Sequence, residues 1–318
     1  MSEYMRAAVS GNSPGFLGGL LQGHAYHGAH LNSFWEIPVP AAAPENLSPA
    51  RTPYEVIARD AVYWIGERSV ARSCFEARGH ADPTRARRAE IMACGLESRI
   101  VGRVLVQANE VLRKARLPAN FPVRDILESY VDAACALSRM EAALSEVGRG
   151  SSPARANAPA GDPVRVFLRE AAGVLRALAE ALKLAYGEFA YDYAGSDPIG
   201  ARKPVLAAFC EWSARQGAGK RTAQAISRAL PRLGLVPAAA ERPETRSEAM
   251  SARDLGETLE VLIELMERSA VAIAADHLRP DLSAPLSIRE LAPAERVLEH
   301  TRYYVCLEFP GGRYGPFA

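Results

Sequence analysis

A run of apolar residues at helical spacing, opened by a cap and a proline, constrains this chain more than any other feature. Asp162-Pro163 precedes Val164, Phe167, Leu168, Val174, Leu175, Leu178 and Leu182. That spacing gathers the side chains on one side of a helix, whereas a strand needs alternation. Aspartate before proline suits an N-cap followed by the first helical residue. A helix with such a stripe must bury it against another element. The pattern recurs from about Val123 to Val147, with Ile126, Leu127, Tyr130, Leu137, Met140 and Leu144, and again with Leu255, Leu259, Leu262, Met266 and Ile273. Aromatic residues make up only 7% and alanine is plentiful. Both favour closely packed helices over sheets. The expected fold is mainly α: a helical bundle with a helix-turn-helix candidate and a short C-terminal β element. The β element is "RYYVCLEF", residues 302–309.

Glycine and proline punctuation divides the chain further. Residues 1–52 read as an irregular segment, because "EIPVPAAAPENLSPARTP" cannot hold a long helix. A helical bundle is expected over 53–147. Its first helix starts at Thr52-Pro53 and carries Tyr54, Ile57, Ala61, Trp64 and Ile65. A second starts at Asp82-Pro83 and carries Ile91, Leu96, Ile100, Val104, Val111 and Leu112. "GRGSSPARANAPAGDP", residues 148–163, is a linker of small residues and prolines. A second helical region spans 164–318, with another linker at 237–254. The stripe at 255–273 reads as a bundle seam or short coiled-coil face, with Glu257, Glu260, Glu264 and Glu267 mostly off it.

The net charge of +1 conceals segregation. Residues 72–124 carry eleven Arg and Lys against five Asp and Glu, and residues 201–246 carry nine against three. Residues 253–308 reverse the balance, six against eleven. Such segregation implies basic surface, or charges that pair between helices. No stretch approaches the roughly 20 apolar residues of a membrane span, so no membrane partner is expected. Cys74, Cys94, Cys135, Cys210 and Cys306 are dispersed and odd in number, which disfavours a disulfide framework or a paired-cysteine zinc site. With no basic-then-apolar leader in the N-terminal stretch, the expectation is a cytoplasmic protein.

The segment "PVLAAFCEWSARQGAGKRTAQAISRALPRLGLV", residues 204–236, carries the functional expectation. Two glycines interrupt it, and Thr222 is placed to cap the second helix. At about 100° per residue, Ala223, Ile226, Leu230 and Leu233 fall on one side of that helix. Arg221, Gln224, Arg228 and Arg232 fall nearly opposite, with Lys220 at the start. Guanidinium groups offer phosphates and guanine edges a planar fork of donors, and glutamine can pair with adenine. Two helices joined by a glycine turn, the second with such a face, have the helix-turn-helix layout. With Arg228-Ala229-Leu230 and Gly234 in place, this segment resembles the winged-helix segment of phage and plasmid primase-helicases. The resemblance covers about a tenth of the chain and implies DNA binding by the second helix. The chain has no GxxxxGK[ST] phosphate loop. Pro231 is expected to break or kink the helix, and a wing would need strands after Gly234.

The main reading is therefore a nucleic-acid-binding component of a larger assembly with other protein subunits. Phosphates would be held by Lys220, Arg221, Gln224, Arg228 and Arg232, with Arg85, Arg87 and Arg88. On this reading no cofactor is expected. An alternative comes from "GHAYHGAHLNSFW". His24, His27 and His30 could converge on a metal or haem iron in an α-helical enzyme. A further alternative is a helical scaffold that binds a partner along the seam at 255–273. His80, His277 and His300 stand isolated in the sequence.

Overall fold

The structure, a computed structural model, describes residues 54–59, 61–65, 88–92, 98–148, 162–195, 204–233, 251–279, 286–296, 300–308 and 314–316. Two compact units divide between Gly102 and Arg103. The expected irregular segment, Thr52-Pro53, Asp82-Pro83, Arg85, Arg87 and the histidines His24, His27 and His30 lie outside the described residues, so the metal or haem reading has no described site.

The first unit departs from the expected helices. Strands β1 (Tyr54–Ala58) and β2 (Ala61–Ile65) form an antiparallel pair in which Ala58 faces Ala61. Only Arg59 and Asp60 connect them, and Arg59 takes a left-handed φ of 45°. A two-residue connection with positive φ matches the twist of a hairpin. Val56, Ile57, Val62, Tyr63, Trp64 and Ile65 are residues that favour strands. The match of Tyr54, Ile57, Ala61, Trp64 and Ile65 to helical spacing is coincidental. Strand β3 (Arg88–Met92) lies parallel to β2, so Arg88 belongs to a strand and not to the expected helix.

The second unit is helical, as its stripes predict. A π-helical turn, Val101–Val106, leads into α1 (Gln107–Lys114). Helices α2 (Val123–Gly148) and α3 (Pro163–Ala185) pack more extensively than any other described pair. Small residues meet at their interface, since a Cβ on Gly173 of α3 would stand 3.5 Å from the Ala136 Cβ of α2, and such residues let helix axes approach closely. The linker at 148–163 therefore joins two helices of one bundle and does not separate domains. The expected cap at its end is present, since Asp162 Oδ1 accepts from Val164 N–H at 3.0 Å.

Three shorter helices follow before the central one: α4 (Gly187–Gly195), α5 (Val205–Gln216) and α6 (Lys220–Leu233). Helix α7 (Ala252–His277) then packs against α6, α2, α1 and α3. Ser251 and Asp254 cap it reciprocally. All five seam residues, Leu255, Leu259, Leu262, Met266 and Ile273, are buried within the unit, together with Val261, Ile263, Leu265 and Ala270. The seam is thus filled by the chain's own helices and is not a surface for a partner. Glu267, expected off the seam, is fully buried as well.

The C-terminal β element extends beyond its expected strand. Strand β5 (Tyr303–Glu308) pairs antiparallel with β4 (Leu286–Glu290) and with β6 (Tyr314–Pro316). Two polar devices fasten it to the helices. The buried Gln107 amide donates to the Tyr303 carbonyl at 2.6 Å and accepts from the Arg302 and Tyr303 N–H groups at 2.7 and 2.8 Å. Glu267 takes Arg103 Nε and Nη2 at 3.2 and 3.0 Å and Arg302 Nε at 2.7 Å, and it also bonds Arg302 Nη2. Arg103 further pairs with Glu260. Hydrogen bonding from Glu267 raises the Arg302 pKa, so its charge is permanent.

Candidate nucleic-acid interface

The candidate interface begins at the turn between α5 and α6. Gly217 closes α5 at φ 73°, where its N–H bonds to the Ser213 carbonyl at 2.9 Å. Left-handed geometry there favours glycine. Gly219 has φ 64°, and a Cβ on it would stand 2.9 Å from a Phe209 ring carbon and 3.1 Å from Tyr186. The turn is pressed onto an aromatic cluster, in which the Tyr186 ring lies 5.0 Å from Phe209, 5.9 Å from Trp212 and 4.8 Å from His277. Phe121 packs on His277 at 4.7 Å. Burial pulls the His277 pKa below its ordinary value, opposed by neighbouring Asp276.

Helix α6 is not capped by Thr222, which lies inside it. The capping group comes from the far end of α7. Asp276 Oδ2 accepts from Thr222 N–H at 3.1 Å and Thr222 Oγ1 at 3.0 Å, and Oδ1 accepts from Arg221 N–H at 3.3 Å. Tyr186 Oη donates to the same carboxylate at 2.9 Å. A carboxylate is well placed at the positive end of a helix, and it satisfies N–H groups that have no intrahelical partner. A cavity of about 580 Å³ opens over this turn, but Asp276 already holds those N–H groups. Asp276, His277 and Tyr186 carried no signal in the sequence, because the groups they meet are distant in the chain: the hydrogen-bond partners of Tyr186 are 36 and 90 residues away, and His277 packs on Tyr186 and Phe121.

The two sides of α6 are present with a slight rotation. Thr222, Ile226, Ala229 and Leu233 are buried, while Ala223 and Leu230 are half-buried. The rotation follows from unequal neighbours, since α6 packs more extensively on α7 than on α5. Pro231 does not break the helix: it sits in the last turn, which continues to Leu233. Residues after Leu233, where a wing would begin, lie outside the described residues up to Ser251.

The expected basic residues separate into two groups. Arg221 Nη1 donates to the Ala275 carbonyl at 2.8 Å and lies 3.9 Å from Asp276. Arg232 bonds Glu264 at 2.7 Å, and Glu264 also accepts from Arg268 at 2.8 Å. Hydrogen bonding from Arg232 holds the Glu264 carboxyl below its ordinary range, with partial burial opposing. These two arginines stay more than half exposed while paired with α7. Lys220, Gln224 and Arg228 are exposed and have no partner among the described residues.

Arg221, Gln224 and Arg228 share a cavity of about 510 Å³. Arg268 of α7 and Tyr303 of β5 join them, and neither was singled out in the sequence. Val271, Ala272 and Ala275 of α7 supply an apolar part, and Leu278 follows that helix. Leu286, Ser287 and Ile288 of β4 complete the lining, with Ala225. Three guanidinium groups therefore face a partly apolar hollow whose lining contains no carboxylate. Among the described residues no group of three or more His, Cys, Asp or Glu could hold a metal ion, and no helix is long and apolar enough to cross a membrane.

Comparison of the chain with protein-family models, with curated proteins and with solved structures finds no match in any of the three.

Proposed function

We propose that this chain binds nucleic acid through the exposed face of α6. The observation that carries the reading is the cationic hollow bearing Arg221, Gln224, Arg228 and Arg268, with no carboxylate in its lining. Arginine forks match phosphate oxygens in geometry and charge. Arg228 is the strongest contributor, because it is exposed and unpartnered among the described residues. Arg221 and Arg232 already hold groups of α7, so each adds less than a free arginine.

The test is nucleic-acid affinity across a salt series for wild type, Arg228→Gln and the triple change of Arg221, Arg228 and Arg232 to glutamine. Each lost phosphate contact reduces the slope of log affinity against log salt by about 0.7–0.9. Arg228→Gln alone should account for the larger part of the triple variant's loss. Far-UV circular dichroism should be unchanged, since all three side chains project from the packed stripe. Identical affinities and slopes would make α6 a solvated bundle face and end the proposal.

A further inference from the structure

The nucleic-acid reading leaves open whether the strand is paired, and the shape of the hollow bears on this. An α-helix with its side chains is about 10–12 Å across. The major groove of a duplex is about 12 Å wide, so a helix that reads base edges there fills it and needs free space on its flanks. Helix α6 does not have that freedom around Gln224 and Arg228. Their side chains line one wall of the 510 Å³ cavity, and the same cavity is lined by α7 and by Ile288 and Tyr303 of the β4–β5 pair. A duplex laid across the mouth can meet the arginines with its phosphates. Its stacked bases would meet α7, Ile288 and Tyr303 beside α6.

We infer that this hollow takes an unpaired nucleotide of a single strand, a claim that rests on the nucleic-acid reading above. An unstacked base has two apolar faces and a polar edge, and the lining offers both kinds of contact. Ala272 and Ile288 give an apolar bed, and Tyr303 adds an aromatic ring of the kind on which unpaired bases stack. The Gln224 amide offers a donor and an acceptor to the base edge. Arg228 stands beside it for a flanking phosphate, and Arg268, already bonded to Glu264, adds less. The cavity volume is in the range of about 300–1,000 Å³ usual for pockets that enclose small organic groups. Tyr303 is held in place from behind, because Gln107 grips its backbone N–H and carbonyl.

The experiment uses the full chain and a fluorescently labelled oligonucleotide of about 12 residues, presented as a single strand and as a blunt duplex. The single strand should bind at least about tenfold more tightly than the duplex. Tyr303→Leu should weaken single-strand binding by about five- to hundredfold, the range for loss of one stacked base, and leave duplex binding unchanged. Gln224→Glu places a carboxylate in the wall at an exposed position that cannot disturb the core, and should cost single-strand affinity about tenfold or more even if Tyr303→Leu misfolds. Duplex binding equal to or tighter than single-strand binding overturns the inference and leaves the nucleic-acid reading standing. A single-strand preference untouched by both variants overturns the hollow as its site. Failure to bind either form at about 50 mM salt overturns both readings.

Discussion

Replacing Glu267 with alanine removes the most enclosed charge among the described residues of the helical unit. Its side chain has no solvent exposure, and those of Arg103 and Arg302 are 14% and 25% exposed. Four guanidinium N–H groups lose their acceptor together. What remains is weak compensation: Glu260 still reaches Arg103, and Glu290 lies 3.9 Å from Arg302, but both are nearly half exposed. Breaking a buried ion pair from one side costs about 3–5 kcal/mol, because the partner charges stay desolvated. The expected loss is therefore about 3–5 kcal/mol, a large part of the roughly 5–15 kcal/mol of a typical domain. Urea unfolding followed by circular dichroism measures it. A double-mutant cycle with Arg302→Met should return a coupling of at least about 1 kcal/mol. A loss below about 1 kcal/mol, or additive effects in the cycle, would refute the reasoning and mean that water reaches Glu267.

Three smaller perturbations probe the turn before α6. Asp276→Ala removes the cap supplied by α7 and leaves the buried Tyr186 and Thr222 hydroxyls with only each other, so unfolding free energy should fall by about 2–4 kcal/mol, and an effect within about 0.5 kcal/mol would exclude that capping role. Gly219→Ala forces a Cβ against Phe209 at positive φ and should cost about 2–4 kcal/mol, whereas Gly217→Ala, whose Cβ would meet only the Lys220 side chain at 3.8 Å, should cost only about 1 kcal/mol; equal losses in denaturant titrations would contradict the close approach. His277 has a pKa depressed by burial, so the unfolded chain takes up its proton first. Its stabilising contribution is complete above the ordinary value near 6.5 and declines as pH falls below it. Melting temperatures of wild type should therefore drop more steeply between about pH 6.5 and 5 than those of His277→Phe, and parallel curves would dismiss the effect.

Long helices were legible because their evidence is repeated. Seven apolar residues from Val164 to Leu182 agree on one period, and the Asp162 cap agrees with them. The hairpin at 54–65 departs from the expected helix for the opposite reason: five positions happen to fit 3.6, and the deciding feature is the tight connection at Arg59, whose φ is left-handed. Strand β4 is only five residues long, and its alternation Leu286-Ser287-Ile288-Arg289 is too short to stand out by itself. At the candidate site, the sides of α6 could be projected from sequence because helical geometry is regular. The remainder could not, since Arg268 and Tyr303 reach the hollow through packing of distant segments. Arg85 and Arg87 lie outside the described residues, and Arg88 belongs to the other unit.

The grip of Gln107 on the backbone of Tyr303 spans 196 residues of chain. Contacts between such distant residues form late, because chain entropy is lost before they return any stabilisation. On this ground the strand that walls the hollow is expected to dock after the helices that receive it. Changes at Gln107 should accelerate unfolding and leave the refolding rate almost untouched. During synthesis the N-terminal parts emerge first. A growing chain thus carries the arginines of α6 before Tyr303 is made, and the aromatic wall is added to them afterwards.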